Sequence, residues 1–319
     1  MAGVVAQAHA RLRETGLAAT ACNALIRHLG RVDLLSDVFA LLDSMRAAKV
    51  KPDAETWEFV ANAAVKEVAF ECSAVSMKTL PPPGPPEILF VGRSNVGKSS
   101  LVNMLVNRKA IAPTSSKPGF TTELNFYSVN AGRKRGLRCR LVDVPGLGFA
   151  EADAGRVDSW RSTLQRYLAV RAPLRCAFHL IDARDGPQRA DRDLMAMAAA
   201  AAAESGSGGS GGGGAEGSGG GGDGEGGSSG GDVDGSAEGS GGAGGSDYVR
   251  RQPPAYVIVL TKADRVAAPR LQMACAEAAA AAAAAGLGGD VPVLVSSSKT
   301  RTGRDVLWRR LYDVLGEQC

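Results

Sequence analysis

Lys98 is the residue around which most chemistry can be built. It stands in Gly92-Arg93-Ser94-Asn95-Val96-Gly97-Lys98-Ser99, which satisfies the spacing of a phosphate-binding P-loop. The glycines let backbone N–H groups turn inward around phosphate oxygens, and a helix starting here adds positive potential at its N-terminus. Lys98 would place a point charge on the β- and γ-phosphates, and the Ser99 hydroxyl would ligate magnesium. Gly92 through Ser100 (Gly92, Arg93, Ser94, Asn95, Val96, Gly97, Lys98, Ser99, Ser100) form the nucleotide-contacting set.

Two further motifs follow in order. Asp143-Val144-Pro145-Gly146 supplies a carboxylate that would hold magnesium through water, and a Gly146 N–H able to sense the γ-phosphate and swing when it leaves. Thr261-Lys262-Ala263-Asp264 supplies a second carboxylate. Asp264 could accept two hydrogen bonds, from guanine N1–H and the exocyclic amine, a donor pair that adenine lacks; this disfavours a P-loop ATPase. The Lys262 stem can lie along the base face. Ser296-Ser297-Ser298 fits a loop whose backbone N–H groups contact the guanine oxygen. The polar stretch from Thr114 to Thr122, with Pro118 and Gly119, is the candidate switch loop. One of its threonines would complete the magnesium shell, and spacing alone does not choose between Thr121 and Thr122. His9, His28 and His179 show no catalytic pairing; His179, inside an apolar run, is read as structural.

Elements must bring these groups together. Apolar runs predict strands over 87–91, 138–142, 176–181, 255–260 and 291–295, with helical stretches between them. That alternation predicts an α/β fold, a P-loop GTPase with a mostly parallel, doubly wound sheet. Each motif then sits just after a strand, the context the P-loop requires. Residues 67–319 would form this domain. It is interrupted at 204–247 by Gly, Ser, Ala and acidic residues that cannot bury enough apolar surface to fold, so disorder and a surface position are expected.

Residues 1–66 are a separate helical segment, with apolar positions Leu25, Ile26, Leu29, Leu34, Leu35, Val38, Leu41, Leu42 and Met45 at helical spacing. Gly30-Arg31-Val32-Asp33 reads as a turn, and Lys51-Pro52-Asp53 as the stop of the second helix. The segment from Asn23 through Met45 to Asp53 resembles a pentatricopeptide repeat, a paired-helix unit that reads single-stranded RNA. One unit with partial neighbours is short for RNA reading; a helical hairpin docking on the main domain or on a partner is the other reading. Pro81-Pro82-Pro83-Gly84-Pro85-Pro86 is read as a stiff extended spacer.

Taken together, GRSNVGKSSLVNML (92–105), Thr114 through Phe126, DVPGLGFA (143–150), Trp160 with Tyr167-Leu168, IDARDGP (181–187) and VLTKAD (259–264) resemble the EngB family of ribosome-assembly GTPases, within the Era-like group. The resemblance starts near Phe70. It implies Thr121 as the switch threonine and Asn95 as a potassium ligand beside the phosphates, where a loop-capping Asn is the alternative. Lys98, Thr121 and Gly146 then become the candidate catalytic residues, and Ser99, Thr121 and Asp143 the magnesium set. It also implies GTP as substrate, GDP as product, and a large-subunit ribosomal precursor or rRNA as partner, with the protein a monomer. Phe120 and Thr122 depart from the family's usual Arg and Gln. Leu147, which follows Gly146, cannot orient an attacking water as the Gln of Ras-type switches does, so slow, partner-stimulated turnover is expected. The alternative function is an RNA-binding adaptor whose repeats bind RNA while the G domain is a nucleotide-gated support.

The charge balance agrees with a polyanionic partner. The chain carries +4, but residues 204–247 hold eight acids and no Lys or Arg, so the rest has 37 basic against 25 acidic residues, a formal +12. Solubility alone would also account for it. Six scattered cysteines fit neither a zinc site nor a disulfide framework and point to free thiols in a reducing compartment. No apolar run approaches the roughly 18–20 residues that cross a bilayer, so no membrane partner is expected. Four Arg against one Glu in the first 32 residues is transit-peptide-like, pointing to chloroplast or mitochondrion, with the cytosol as the alternative. The repeat pattern begins partway through a unit, which leaves an incomplete N-terminus open.

Overall fold

The computed structural model describes residues 19–31, 35–108, 111–112, 123–132, 137–146, 154–206 and 253–315. Three helices come first: α1 (Ala19–Arg31), α2 (Leu35–Ala47) and α3 (Ala54–Ala64). The second ends earlier than its sequence implies. Lys49 takes a left-handed φ of 58° two residues beyond Ala47, so the helix is closed before Pro52 is reached. Lys51-Pro52-Asp53 instead opens α3: the Asp53 carboxylate caps it by accepting from the Thr56 N–H at 2.7 Å and takes a second bond from Asn23 of α1 at 2.9 Å.

The remaining elements are β1 (Val68–Ala74), β2 (Glu87–Gly92), α4 (Lys98–Leu105), β3 (Leu124–Val129), β4 (Cys139–Asp143), α5 (Ala154–Val170), β5 (Leu174–Asp182), α6 (Arg189–Gly206), β6 (Ala255–Thr261), α7 (Ala268–Ala284), β7 (Val293–Val295) and α8 (Arg304–Leu315). The seven strands run in the order β1-β3-β4-β2-β5-β6-β7. The pairs β4–β2, β2–β5, β5–β6 and β6–β7 are parallel, whereas β1–β3 and β3–β4 are antiparallel. All five expected strands are present. The antiparallel side, β1 and β3, has no continuous apolar run to announce it: β1, at the edge, exposes Phe70 and mixes polar with apolar residues, and Asn125 and Ser128 interrupt the buried residues of β3.

Alternation along β2 divides the core. Ile88 and Phe90 join α4, α8 and the three N-terminal helices on one face, where Ile26, Leu29, Leu41, Met45 and Trp57 are buried with Leu307, Trp308 and Leu311. Leu89 and Val91 face α5 and α6. A third cluster packs α7 on β6 through Ala274, Ala278 and Ala282, one small residue per turn.

Two boundaries differ from expectation. Helix α6 continues to Gly206, past the predicted start of the insertion at 204; 207–252 lie outside the described residues, and so does the disorder expected there. The proline-rich stretch is not a free spacer. The carbonyls of Pro81 and Pro82 accept from Arg171 at 2.9 Å and Arg140 at 2.8 Å, which pins it to the sheet. The five described cysteines are free, and no described helix is long and apolar enough to cross a membrane.

Candidate functional site

The C-terminal ends of the parallel strands meet at one edge of the sheet, and each motif begins where its strand stops. β4 ends at Asp143, β2 runs into the P-loop, β5 ends at Asp182, β6 at Thr261, and β7 leads to Ser296. Register fixes the neighbours: Phe90 pairs with Asp143, and Asp182 with Thr261. The loop around Lys98, the carboxylate of Asp143 and the Thr261–Asp264 segment therefore converge, as expected for ligands bound at strand ends in a doubly wound sheet.

The P-loop is held by close approach. Gly92 has φ 150°, and a Cβ there would lie 2.4 Å from the Leu180 carbonyl oxygen, so only glycine fits between the strands. Asn95 has φ 60°, a conformation that asparagine tolerates. Lys98 is buried and its ammonium donates to the carbonyls of Gly92 and Arg93, each at 3.2 Å. A Cβ at Gly146 would meet the Ser94 backbone nitrogen at 2.5 Å, so the Asp143–Gly146 loop lies directly on the P-loop.

Charge in this buried corner is incompletely compensated. Burial pushes the Lys98 amine down to about 8, against the pull of Asp143. Burial also pushes the Asp143 carboxyl up, against Lys98 and the Ser99 hydroxyl, which donates to Asp143 Oδ2 at 2.6 Å. Both groups are thus less readily charged than in water. A polyphosphate beside Lys98 and a cation beside Asp143 would each supply the missing counter-charge. Asp143 Oδ1 is buried without a hydrogen-bond partner, so the hydroxyl–carboxylate pair fits magnesium, an oxygen-seeking ion. No group of three His, Cys, Asp or Glu that could hold a metal is found among the described residues.

The end of the cleft formed by Thr261–Asp264 is cross-braced. Thr261 Oγ1 donates to the Val96 carbonyl at 2.7 Å and Ile181 at 3.2 Å. Lys262, with φ 56°, sends its ammonium to the Asn95 carbonyl at 2.6 Å and to Asp182 at 2.9 Å. Burial raises Asp182, but Arg184 and Lys262 outweigh it and hold the carboxyl well below the usual range. Ser297 Oγ donates to Asp264 Oδ1 at 2.6 Å, which keeps that carboxyl below its ordinary value.

The serine loop departs from expectation. The Ser296 N–H donates to Leu260 at 2.8 Å and the Ser297 N–H to Thr302 at 3.1 Å, so these two are engaged within the protein. Ser298 alone of the three lines a cleft of about 610 Å³, with Gly97, Ser100, Thr261, Lys262 and Asp264. Sequence reasoning missed Asp182 as the anchor of Lys262, and missed Asn103, Lys299 and Arg301 in the cleft wall; Asp182 had a signal in its position at the end of an apolar strand. Thr121, Thr122, the rest of the switch loop and Leu147 lie outside the described residues. His179 is buried between Asp191 at 3.2 Å and Tyr256 at 2.8 Å and serves the core.

This is the architecture of a P-loop GTPase: a mostly parallel α/β sheet with the P-loop motif, Asp143 and Asp264 at its strand ends. A family model described as "50S ribosome-binding GTPase" matches residues 87–205. A "Probable GTP-binding protein EngB" of Chelativorans sp. (strain BNC1) is 50% identical over 125 residues, covering 38% of this chain and 55% of the relative. The protein of the same description from Rhizobium meliloti (strain 1021) is 49% identical over 127 residues, 38% of this chain and 58% of the relative. The chain spans about half the length of the curated relatives it matches.

Proposed function

We propose that the chain is an EngB-type GTPase that binds GTP with magnesium and hydrolyses it slowly as a switch in large ribosomal subunit assembly. The convergence of Lys98, Asp143 and Asp264 at the C-terminal ends of β2, β4 and β6, on one edge of the sheet, carries this reading. Lys98 and the N-terminus of α4 receive the phosphates, Asp264 reads guanine, and Thr261 and Lys262 lock the base-reading segment onto the P-loop. Ser99, Asp143 and Thr121 would hold magnesium, which when bound supplies charge neutralisation at the phosphates. Gly146, which lies close against Ser94, would register loss of the γ-phosphate. The family resemblance adds potassium beside Asn95; faster turnover in potassium than in sodium tests it.

Calorimetry with GDP is the direct test. Uptake is expected, with D264N losing guanine affinity and gaining xanthine affinity; unchanged GDP binding by D264N would falsify the assignment of Asp264. Co-sedimentation with ribosomal subunits under GTP, GDP and no nucleotide tests the partner. Binding only with GTP, together with faster turnover, is expected; indifference to nucleotide refutes the switch. The "50S ribosome-binding" description of the matching family model supports the ribosomal role, and the relatives' name supports GTP binding. The adaptor reading would need the exposed face of residues 19–66, which carries Arg46, Lys49 and Lys51, to take up RNA, and filter binding of single-stranded RNA to the full chain tests it. Chloroplast or mitochondrial location rests on the arginine-rich start, and a fluorescent fusion of the full chain tests it.

A further inference from the structure

The N-terminal helices reach the wall of the nucleotide cleft, and they lie outside the matched region, which begins at residue 87. Glu58, on α3, is the hub. Its Oε1 accepts from Arg304 at 2.7 Å and from Arg301 at 3.1 Å. Arg304 is fully buried and also donates to the carbonyls of Met104 at 2.9 Å and Leu105 at 3.0 Å, the last turn of the P-loop helix α4. Arg301, with φ 62°, stands in the loop that follows Ser296-Ser297-Ser298 and lines the cleft with Asp264 and Ser298. Its other nitrogen donates to Asn107 at 2.9 Å, and Asn107 donates to Asn62 of α3 at 3.1 Å. The Lys66 carbonyl accepts from Arg108, another wall residue, at 3.3 Å.

We infer that Glu58 is a positioning residue for nucleotide retention: the N-terminal extension, through Arg301 and Arg304, clamps the base-reading loop to the P-loop helix and slows guanine nucleotide release. This deepens the guanine-nucleotide reading and rests on it. One carboxylate joins the two halves of the cleft. The 296–302 loop lines the base side and α4 carries the phosphate side; Arg301 and Arg304 reach from the loop and the start of α8 to α4 and the residues just after it, and Glu58 neutralises both arginines. Loosening the extension at this point would open the cleft without altering any residue that faces phosphate or base. A partner that pulls on the helices would thereby act as an exchange factor.

The test is the release rate of a fluorescent GDP analogue (mant-GDP) from the full chain, chased with unlabelled GDP. E58Q keeps the shape of the side chain and removes its charge; release is expected to rise about fivefold or more, the low end of ordinary site-to-site coupling. The double variant E58Q/R301Q is expected to release no faster than the faster single variant, because both cut one path; multiplying effects overturn the inference. Y312F, which removes bonds from Tyr312 to Phe39 and Asp43 elsewhere on the same extension, is expected to leave release unchanged. Acceleration equal to that of E58Q would show mere loosening and overturn it. If E58Q does not fold, R301Q carries the test, since it leaves the Glu58–Arg304 pair in place; unchanged release from folded R301Q overturns the inference. A chain that takes up no mant-GDP overturns the guanine-nucleotide reading itself, whereas uptake with release indifferent to E58Q and R301Q sinks the clamp alone.

Discussion

The Ser297 hydroxyl, at 2.6 Å, is the largest influence that holds the Asp264 carboxyl below its ordinary value, and that bond favours the ionised form. A lowered pKa means that the charged, guanine-reading form persists at pH values below the ordinary carboxylate range and is lost as pH falls through the folded value. S297A removes the donor, so the acid limb of guanine recognition should move to higher pH. The ratio of GDP to inosine diphosphate affinity isolates this effect. Inosine lacks the exocyclic amine, so the ratio reports the second hydrogen bond to Asp264, while titrations at Lys98 and Asp143 affect both nucleotides alike. The ratio is expected to collapse toward one at a higher pH in S297A than in the parent, by titration calorimetry across the acid range. Coincident curves would show that Ser297 does not orient Asp264.

At the scale of elements, β2 and α5 are joined by a buried charge cluster. Glu87, at the first position of β2, accepts from Arg171 at 2.5 and 2.9 Å and from the Tyr167 hydroxyl at 2.5 Å, and both Glu87 and Arg171 are fully buried. Removing one partner leaves a charge in a low-dielectric site. R171M is expected to cost roughly 3–5 kcal/mol in urea unfolding, and E87L/R171M to recover much of that, since an apolar pair can replace a buried ion pair at little cost. Equal loss in the single and double variants would mean that shape rather than charge governs the site. The cluster marks the limit of what the sequence reveals. The P-loop, Asp143 and Asp264 are legible because each depends on a strand and the few residues after it, a local pattern that apolar runs expose. Glu87 reads only as the start of an apolar strand, because its partner lies 84 residues away. Glu58, 246 residues from Arg304, reads as an ordinary helix-surface carboxylate. Strand β1 escaped for a related reason, since an exposed edge needs no continuous apolar run, and β3, although mostly buried, has its apolar residues interrupted by Asn125 and Ser128.

For the molecule as a whole, the question is whether the N-terminal helices are an appendage or part of the core. Phe39 stacks on Tyr312 at 5.5 Å and Trp57 tilts against the same ring at 5.7 Å, while Arg46 pairs with Asp313 at 2.9 Å. These contacts cover the outer face of α8, where Trp308, Leu311, Tyr312 and Leu315 are each at most 4% exposed. Burying a large apolar side chain contributes about 1.5–3 kcal/mol. If removal of the helices uncovers half of that burial on four residues, the loss is roughly 3–6 kcal/mol, against a total of about 5–15 kcal/mol for an ordinary domain. A fragment of residues 67–319 should therefore have a much lower Tm, bind a hydrophobic dye and aggregate, even though it keeps every nucleotide-facing motif. Thermal unfolding of the fragment beside the full chain checks this. A fragment as stable as the full chain would mean that the helices merely rest on α8, and the apolar face they cover would then need another explanation. Loss of stability restored by adding GDP would separate the two contributions, because ligand binding to the folded form raises apparent stability without replacing the missing cover.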